Sequence, residues 1–455
     1  MTGKDSAPAS GKGFAGGNRS LRGAAMLRAL HSRNYRLYFA GQGVSLIGTW
    51  IQTIALTWLV YTLTHSAFLL GLVGFSAQIA TFLLAPVAGV VADRLNRHRL
   101  LVATQSLFTV QALLLGLLVL SHTVAVWHIL VLSAFLGVVN AFDMPTRQAF
   151  VVEMIEDRGD LPNAIALNSS MFNGARLVGP AVAGILIAAV GEGVCFLVNA
   201  GSYLAVIVAL LAMRGTPHRI RATPRHVWTE LREGFVFTFG FAPTRAIILL
   251  LALVSVAGMP YATLMPIFAA QILHGGPSTL GFLAGSAGVG ALVGAIILAS
   301  RRTVLGLGRW IPTACTAFGS ALIAFSFSRW LPLSLVFLSV AGFGMITHMA
   351  SSNTILQTIV DDSTRGRVMS FYTMAFVGMA PFGSLLGGAL ASRIGAPWTV
   401  ALGGLVCLGG AAVFARKLPE LRRLVRPIYR ERGIIPEVVT AVQVATDATA
   451  RSERR

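Results

Sequence analysis

The sequence predicts an all-α membrane protein with twelve transmembrane helices in two pseudo-symmetric six-helix bundles, and three observations carry that prediction. Charged residues make up 12% of the 455, against about 25% in an average soluble domain, while apolar residues reach 55%. No Asp, Glu, Lys or Arg occurs from Leu37 to Ala92, and comparable gaps recur down to Ala415. Each is long enough to cross a hydrocarbon core that needs about 20 helical residues. The longest polar connection, from Arg214 to Phe239, leaves six apolar runs on either side.

The runs cover 35–62, 67–92, 99–120, 124–144, 168–190 and 193–213, then 246–273, 279–300, 309–328, 331–358, 368–391 and 397–415. Backbone groups in lipid must be satisfied internally, so runs of this length are helices; barrel strands are about half as long. The chain therefore divides into a disordered basic arm (1–33), a first bundle (34–213), a linker (214–244), a second bundle (245–415) and a basic tail (416–455). In the tail, Leu418, Leu421, Leu424 and Val425 alternate with arginines, which predicts a short interfacial helix bounded by Pro419 and Pro427.

The net charge of +19 raises the question of nucleic acid, but its distribution excludes that partner. With the chain starting inside, the basic residues of the arm, the Arg94 to Arg99 group, Arg214 to Arg245, Arg301, Arg302, Arg309, Arg365, Arg367 and the tail share one side. Only Arg329 and Arg393 fall opposite. This is the positive-inside bias, and it places both termini in the cytoplasm of a bacterial inner (plasma) membrane protein. Cys195, Cys315 and Cys407 are dispersed within apolar runs and suggest neither a disulfide framework nor a metal site. No Gly-rich phosphate loop is present, and the acidic stretch from Glu153 to Asp160 has no His beside it, so ATP-driven transport and membrane-bound transferase or hydrolase chemistry are disfavoured.

Several constellations carry chemistry. Between the second and third runs, Gly89 is followed by Asp93, Arg94, Arg97 and Arg99 where hydrocarbon meets water. Asp143 and Arg147 stand one turn apart at the inner end of the fourth run, and Arg365 and Arg367 precede the eleventh. In the first run Gln42, Ser45, Thr49 and Gln52 share one helical face, and in the tenth Thr347, Ser351, Thr354 and Thr358 form a second stripe beside His348, Ser352 and Asn353. Polar stripes are costly in lipid, so each faces a wet cavity or a neighbouring helix. Arg176 lies well inside the fifth run, where it meets an anionic substrate group, pairs with Asp143 or snorkels to the interface. Gly179-Pro180 with Gly184 in the fifth run, and Pro381 with its flanking glycines in the eleventh, mark matched helix bends.

The Gly89 to Arg99 cluster resembles the loop signature of the major facilitator superfamily, with Asn96 where many members have Gly and His98 interrupting the basic run. Asn34-Tyr35-Arg36-Leu37 with Gly41, Gln42, Ser45, Gly48 and Trp50, and the Arg365 to Ser370 stretch, resemble its enterobactin-exporter and transmembrane secretion effector branch. The fifth run is partly similar to the drug:proton antiporter signature, with Ala175 and Ala183 replacing two glycines. The resemblance implies a secondary exporter of small drug-like or siderophore-like molecules, working as a monomer by alternating access and driven by the proton gradient, with no bound cofactor. A receptor or assembly factor that kept the fold, and an importer, are the alternatives. It also implies that helices one, four, seven and ten line the passage. Asp93 then docks on the start of helix eleven, Arg97 pairs with Asp143, and together with Arg147 they form an inner latch. No carboxylate lies deep in any run, so Asp93, Asp143 and His348 are the remaining proton-site candidates.

Overall fold

The computed structural model describes residues 27–214, 227–301 and 303–435. Residues 1–26 of the expected arm, 215–226 of the linker and 436–455 of the tail lie outside them, as does the side chain of Asp93. Among the described residues, eleven helices are long and apolar enough to cross a membrane. The first four are α1 (Arg33–Thr64), α2 (Ala67–Arg94), α3 (Arg97–Leu120) and α4 (Val126–Met154).

The next, Leu161–Leu211, is two helices joined at Gly191, whose φ of 79° and ψ of 171° no helix tolerates. We call its two parts α5 and α6. Positions on both sides of the break, Gly179 and the Asn199–Ser202 turn, pack on neighbouring residues of α1, Trp50 and Gly48, so the chain doubles back and crosses twice. After the linker helix Val227–Gly240 come α7 (Ala242–Ile272), α8 (Pro277–Ala299), α9 (Leu307–Phe327), α10 (Leu331–Ile359), α11 (Asp362 to Ile394) and α12 (Ala396–Glu431). Alternation of twelve crossings puts the start of α1, the linker helix and the end of α12 on one face, here called basal. The turn between α1 and α2 lies on the opposite, distal face.

The bends differ between the halves. Pro180 sits inside continuous helix, and its carbonyl abuts α8. In α11 a π-turn, Met374–Gly378, precedes Pro381, and in α7 a matching π-turn, Val254–Gly258, precedes Pro260. Proline cannot donate to the preceding turn, and the wider π-turn absorbs the freed carbonyls. Ser255 Oγ donates to the Phe376 carbonyl oxygen at 2.6 Å, so a side chain of one loosened segment satisfies a carbonyl of the other.

The halves meet along α2 with α11 and α5 with α8. Near the distal end of both crossings a glycine faces a glycine. A Cβ built on Gly388 lies 2.7 Å from the Ala67 carbonyl oxygen and 2.8 Å from Gly71 Cα. One built on Gly281 lies 2.5 Å from the Pro180 carbonyl oxygen and 2.9 Å from Gly184 Cα. Lipid provides no hydrophobic drive between helices, so such close approach of small residues supplies the contact. The buried core reflects this asymmetry. On the distal side one cluster runs through both halves, taking in Leu59, Leu70 and Ile187 together with Leu264, Phe268 and Leu280. At the basal end of the first half, Tyr35, Tyr38, Leu101, Phe150 and Met154 form a separate cluster.

The tail departs from the expected short helix. α12 runs unbroken through Pro419 and Pro427 to Glu431, with Leu421 and Val425 buried. Those residues continue the packed face of α12 at helical spacing, so continued burial offsets the hydrogen bonds that the prolines remove. Arg432 fixes the end by donating to the Val360 carbonyl oxygen at 2.9 Å and approaching Asp361 at 3.2 Å.

Candidate functional site

A cavity of about 450 Å³ lies between the halves, below the glycine crossings. Its first-half wall comes from Gln42, Ser45, Thr49 and Gln52 of α1, Gln78 of α2, Gln105 and Phe108 of α3, Asn140, Asp143 and Arg147 of α4, and Tyr203 of α6. The second half contributes little polarity, chiefly Thr263 of α7 and Ser384 of α11, which bond to each other at 3.2 Å.

Among the described residues lining it, Asp143 and Arg147 are the only charged ones. Asp143 Oδ1 accepts from Thr104 Oγ1 and Gln105 Nε2, each at 2.9 Å, and its Oδ2 lies 3.3 Å from Arg147 Nη2. The carboxylate is 1% exposed, whereas the guanidinium keeps 26%. A charge so removed from water requires this degree of partnering. Helical spacing produces the arrangement: Asn140, Asp143 and Arg147 recur three and four apart on the inner face of α4.

The α1 stripe has two roles. Thr49 is exposed to the cavity and reaches Tyr203 OH at 3.4 Å. Gln52 is 3% exposed and belongs to a chain of amides: Asn199 Nδ2 donates to Gln52 Oε1 at 2.7 Å, and Gln52 Nε2 donates to Gln111 Oε1 at 3.0 Å. This chain ties α1, α3 and α6 together. The α10 stripe lies elsewhere. Thr347 packs against Gly294 of α8, His348 Nδ1 approaches the Ile311 carbonyl oxygen of α9 at 3.4 Å, and Ser351 and Ser352 are fully buried. Asn353 accepts from Gln357 on its own helix. None of these five is among the residues lining the cavity. Arg176 is not among them either; it is half-buried in α5.

At the basal rim, the partner of Arg97 differs from the one the resemblance implied. Arg97 Nη1 meets Glu153 Oε1 at 2.6 Å and Nε donates to the Ala92 carbonyl oxygen at 3.2 Å. Asp143 stands ten positions before Glu153, about 15 Å deeper along α4, too far for a side chain rooted at the first residue of α3. Asn96, where the superfamily signature has Gly, is the N-cap of α3 and accepts from the Arg99 backbone N–H at 3.0 Å. His98 Nε2 donates to the Leu210 carbonyl oxygen at 2.8 Å, covering the end of α6. Arg94 and Arg99 are exposed, and a Cβ on Gly89 meets nothing within 4 Å. Arg367, in the first turns of α11, packs under Gly234 of the linker helix, with Arg365 half-buried two positions earlier.

Sequence reasoning missed Gln105, Gln111, Asn199, Tyr203 and Glu153. The signal was present, since amides in a membrane helix must face the bundle interior.

Two six-helix halves around a polar cavity are an architecture of membrane transporters. The sequence profile of the transmembrane secretion effector family matches residues 24–445. The chain belongs to that family, within the major facilitator superfamily of transporters. It is 25% identical over 392 residues to the staphyloferrin A transporter of Staphylococcus aureus, covering 85% of this chain and 97% of that one. It is 27% identical to the multidrug efflux pump Tap of Mycolicibacterium fortuitum, with 84% and 95% covered, and 23% identical to the macrolide efflux protein A of Streptococcus pyogenes, with 86% and 98% covered. Among solved structures, a bacterial homologue of the human lysosomal transporter Spinster, inward-facing and unoccupied, superposes with a TM-score of 0.66 at 14% identity, covering 87% of this chain and 97% of that one. A POT family transporter bound to a thioalcohol-conjugated peptide gives 0.70 at 11% identity, covering 86% and 96%. Membership of this transporter family makes the cargo of this chain a small molecule and embeds the chain in a membrane.

Proposed function

We propose that this chain is an exporter of small molecules in the bacterial plasma membrane, that it works by alternating access, and that the proton gradient drives it. The observation that carries the reading is the Asp143–Arg147 pair, the only charged groups among the described residues of the cavity wall, placed between halves whose distal ends are in contact. Protonation of Asp143 frees Arg147 for an anionic or strongly polar cargo group; return of the carboxylate displaces it. Efflux as the direction is supported by the names of two relatives, a multidrug pump and a macrolide efflux protein. The excess of arginine on the basal face supports that face as cytoplasmic.

The gate belongs to the same reading. With the distal side packed, a carrier presents its cavity basally; when the distal glycine crossings part, the basal ends close. Asp93 then docks at the start of α11 beside Arg365 and Arg367, where unpaired helix amides favour a carboxylate by about 0.3–1 kcal/mol. The test is reconstitution into proteoliposomes carrying a pH-sensitive dye, with an imposed proton gradient and a panel that includes a macrolide and staphyloferrin A. Substrate-dependent proton movement is expected. Transport at the same rate with the gradient collapsed rejects proton coupling.

A further inference from the structure

A second cavity, of about 380 Å³, lies apart from the first, at the basal end of the second half. The continued α12 makes one wall with Leu421 and Val425, while Ile247 of α7, Ile311 of α9 and Ile355 of α10 make the floor. The chain turns after Glu431 and lays Ile435 against its edge. Three arginines border it, Arg309, Arg422 and Arg426, all exposed, and no carboxylate lines it among the described residues. Among the described residues none of the three forms an ion pair with Asp or Glu. Partial desolvation, then the neighbouring Arg309 charge, lowers the pKa of Arg422 from its ordinary value. Two guanidinia thus repel each other beside an apolar hollow.

An apolar pocket rimmed by uncompensated cations is complementary to an amphiphile with an anionic head. Basic pockets at the cytoplasmic ends of membrane helices take anionic lipid headgroups, and cavities of this size accept organic chains. Arg422 and Arg426 sit where α12 leaves its apolar stretch, and Arg309 sits in the first turn of α9. We infer that this pocket binds one anionic phospholipid, with its phosphate between Arg309, Arg422 and Arg426 and an acyl chain on Val425, Leu421 and Ile311. The bound lipid pins α12 against α7, α9 and α10 and so braces the half that moves against the cavity.

The test is native mass spectrometry of the purified, delipidated full chain titrated with phosphatidylglycerol, phosphatidylcholine or inorganic phosphate. One phosphatidylglycerol is expected to bind in preference to phosphatidylcholine by at least about tenfold, a preference lost in the Arg309→Gln/Arg422→Gln double variant. Val425→Trp fills the apolar part with the arginines intact, and is expected to abolish binding too. Four results overturn the inference: equal binding of the two lipids, retention unchanged in either variant, displacement of lipid by inorganic phosphate, and a site that binds phosphatidylglycerol only after removal of residues 436–455. The last identifies the chain's own end as the occupant.

Discussion

Arg97 and Glu153 meet at 2.6 Å on the basal rim, tying the first turn of α3 to the last turn of α4. Both side chains are more than four-fifths shielded, at 18% and 17% exposure, so removing one partner costs more than it does in a surface ion pair. This bond joins two helices of one half. A double-mutant cycle on Arg97→Ala and Glu153→Ala, read by detergent unfolding, is expected to give a coupling of about 0.5–3 kcal/mol. Arg97→Ala with Asp143→Ala should be additive. The reverse pattern restores the Arg97–Asp143 pairing.

Asp143→Asn retains an oxygen for Thr104 and Gln105, so the fold should survive, but it removes the opposite charge from Arg147. Substrate-linked proton movement should fall by about a hundredfold or more, the usual scale for losing a positioned proton-transfer group. Binding of cargo, measured separately by tryptophan fluorescence, should persist. Unchanged proton movement in the variant removes Asp143 from the coupling scheme.

Bulk at the glycine crossings should hold the distal side apart. Gly281→Leu places a side chain where a single Cβ already meets Gly184 Cα at 2.9 Å. In a cysteine-free background, a cysteine at Val73, buried on the cavity wall, should become several-fold more reactive to an impermeant maleimide applied from the distal side. Equal labelling with and without the leucine argues that the crossing does not seal that face.

Asn199→Leu breaks the amide chain of the first half and strands Gln52 Oε1. Interhelical bonds in membranes average about 0.6 kcal/mol, but leaving a buried amide unpaired raises the cost to about 1–3 kcal/mol. Detergent unfolding should show that loss. A neutral result means that water or Gln111 rearranges to cover the gap.

His98→Ala removes the donor to the Leu210 carbonyl oxygen and should lower stability by about 1 kcal/mol while leaving transport intact. A loss of transport without a loss of stability assigns His98 to the gate instead.

Much of the molecule was legible in the chain itself. The charge-free gaps set the number of crossings, because lipid leaves helix as the option for a run of twenty apolar residues. The two-half plan and the polarity of α1 followed from composition and helical period. The pairings did not. Ion-pair geometry depends on depth along a helix, and the ten positions between Asp143 and Glu153 turn one candidate for Arg97 into a cavity residue and the other into its partner. The α10 stripe looks the same as the α1 stripe in sequence, yet packing turns one toward α8 and α9 and the other toward the cavity. Period fixes that polar residues share a face; the rotation of the helix in its bundle fixes what that face meets. That rotation is set by small-residue contacts such as Gly48 on the Asn199–Ser202 turn and Gly294 on Thr347, long-range relationships that tertiary structure decides.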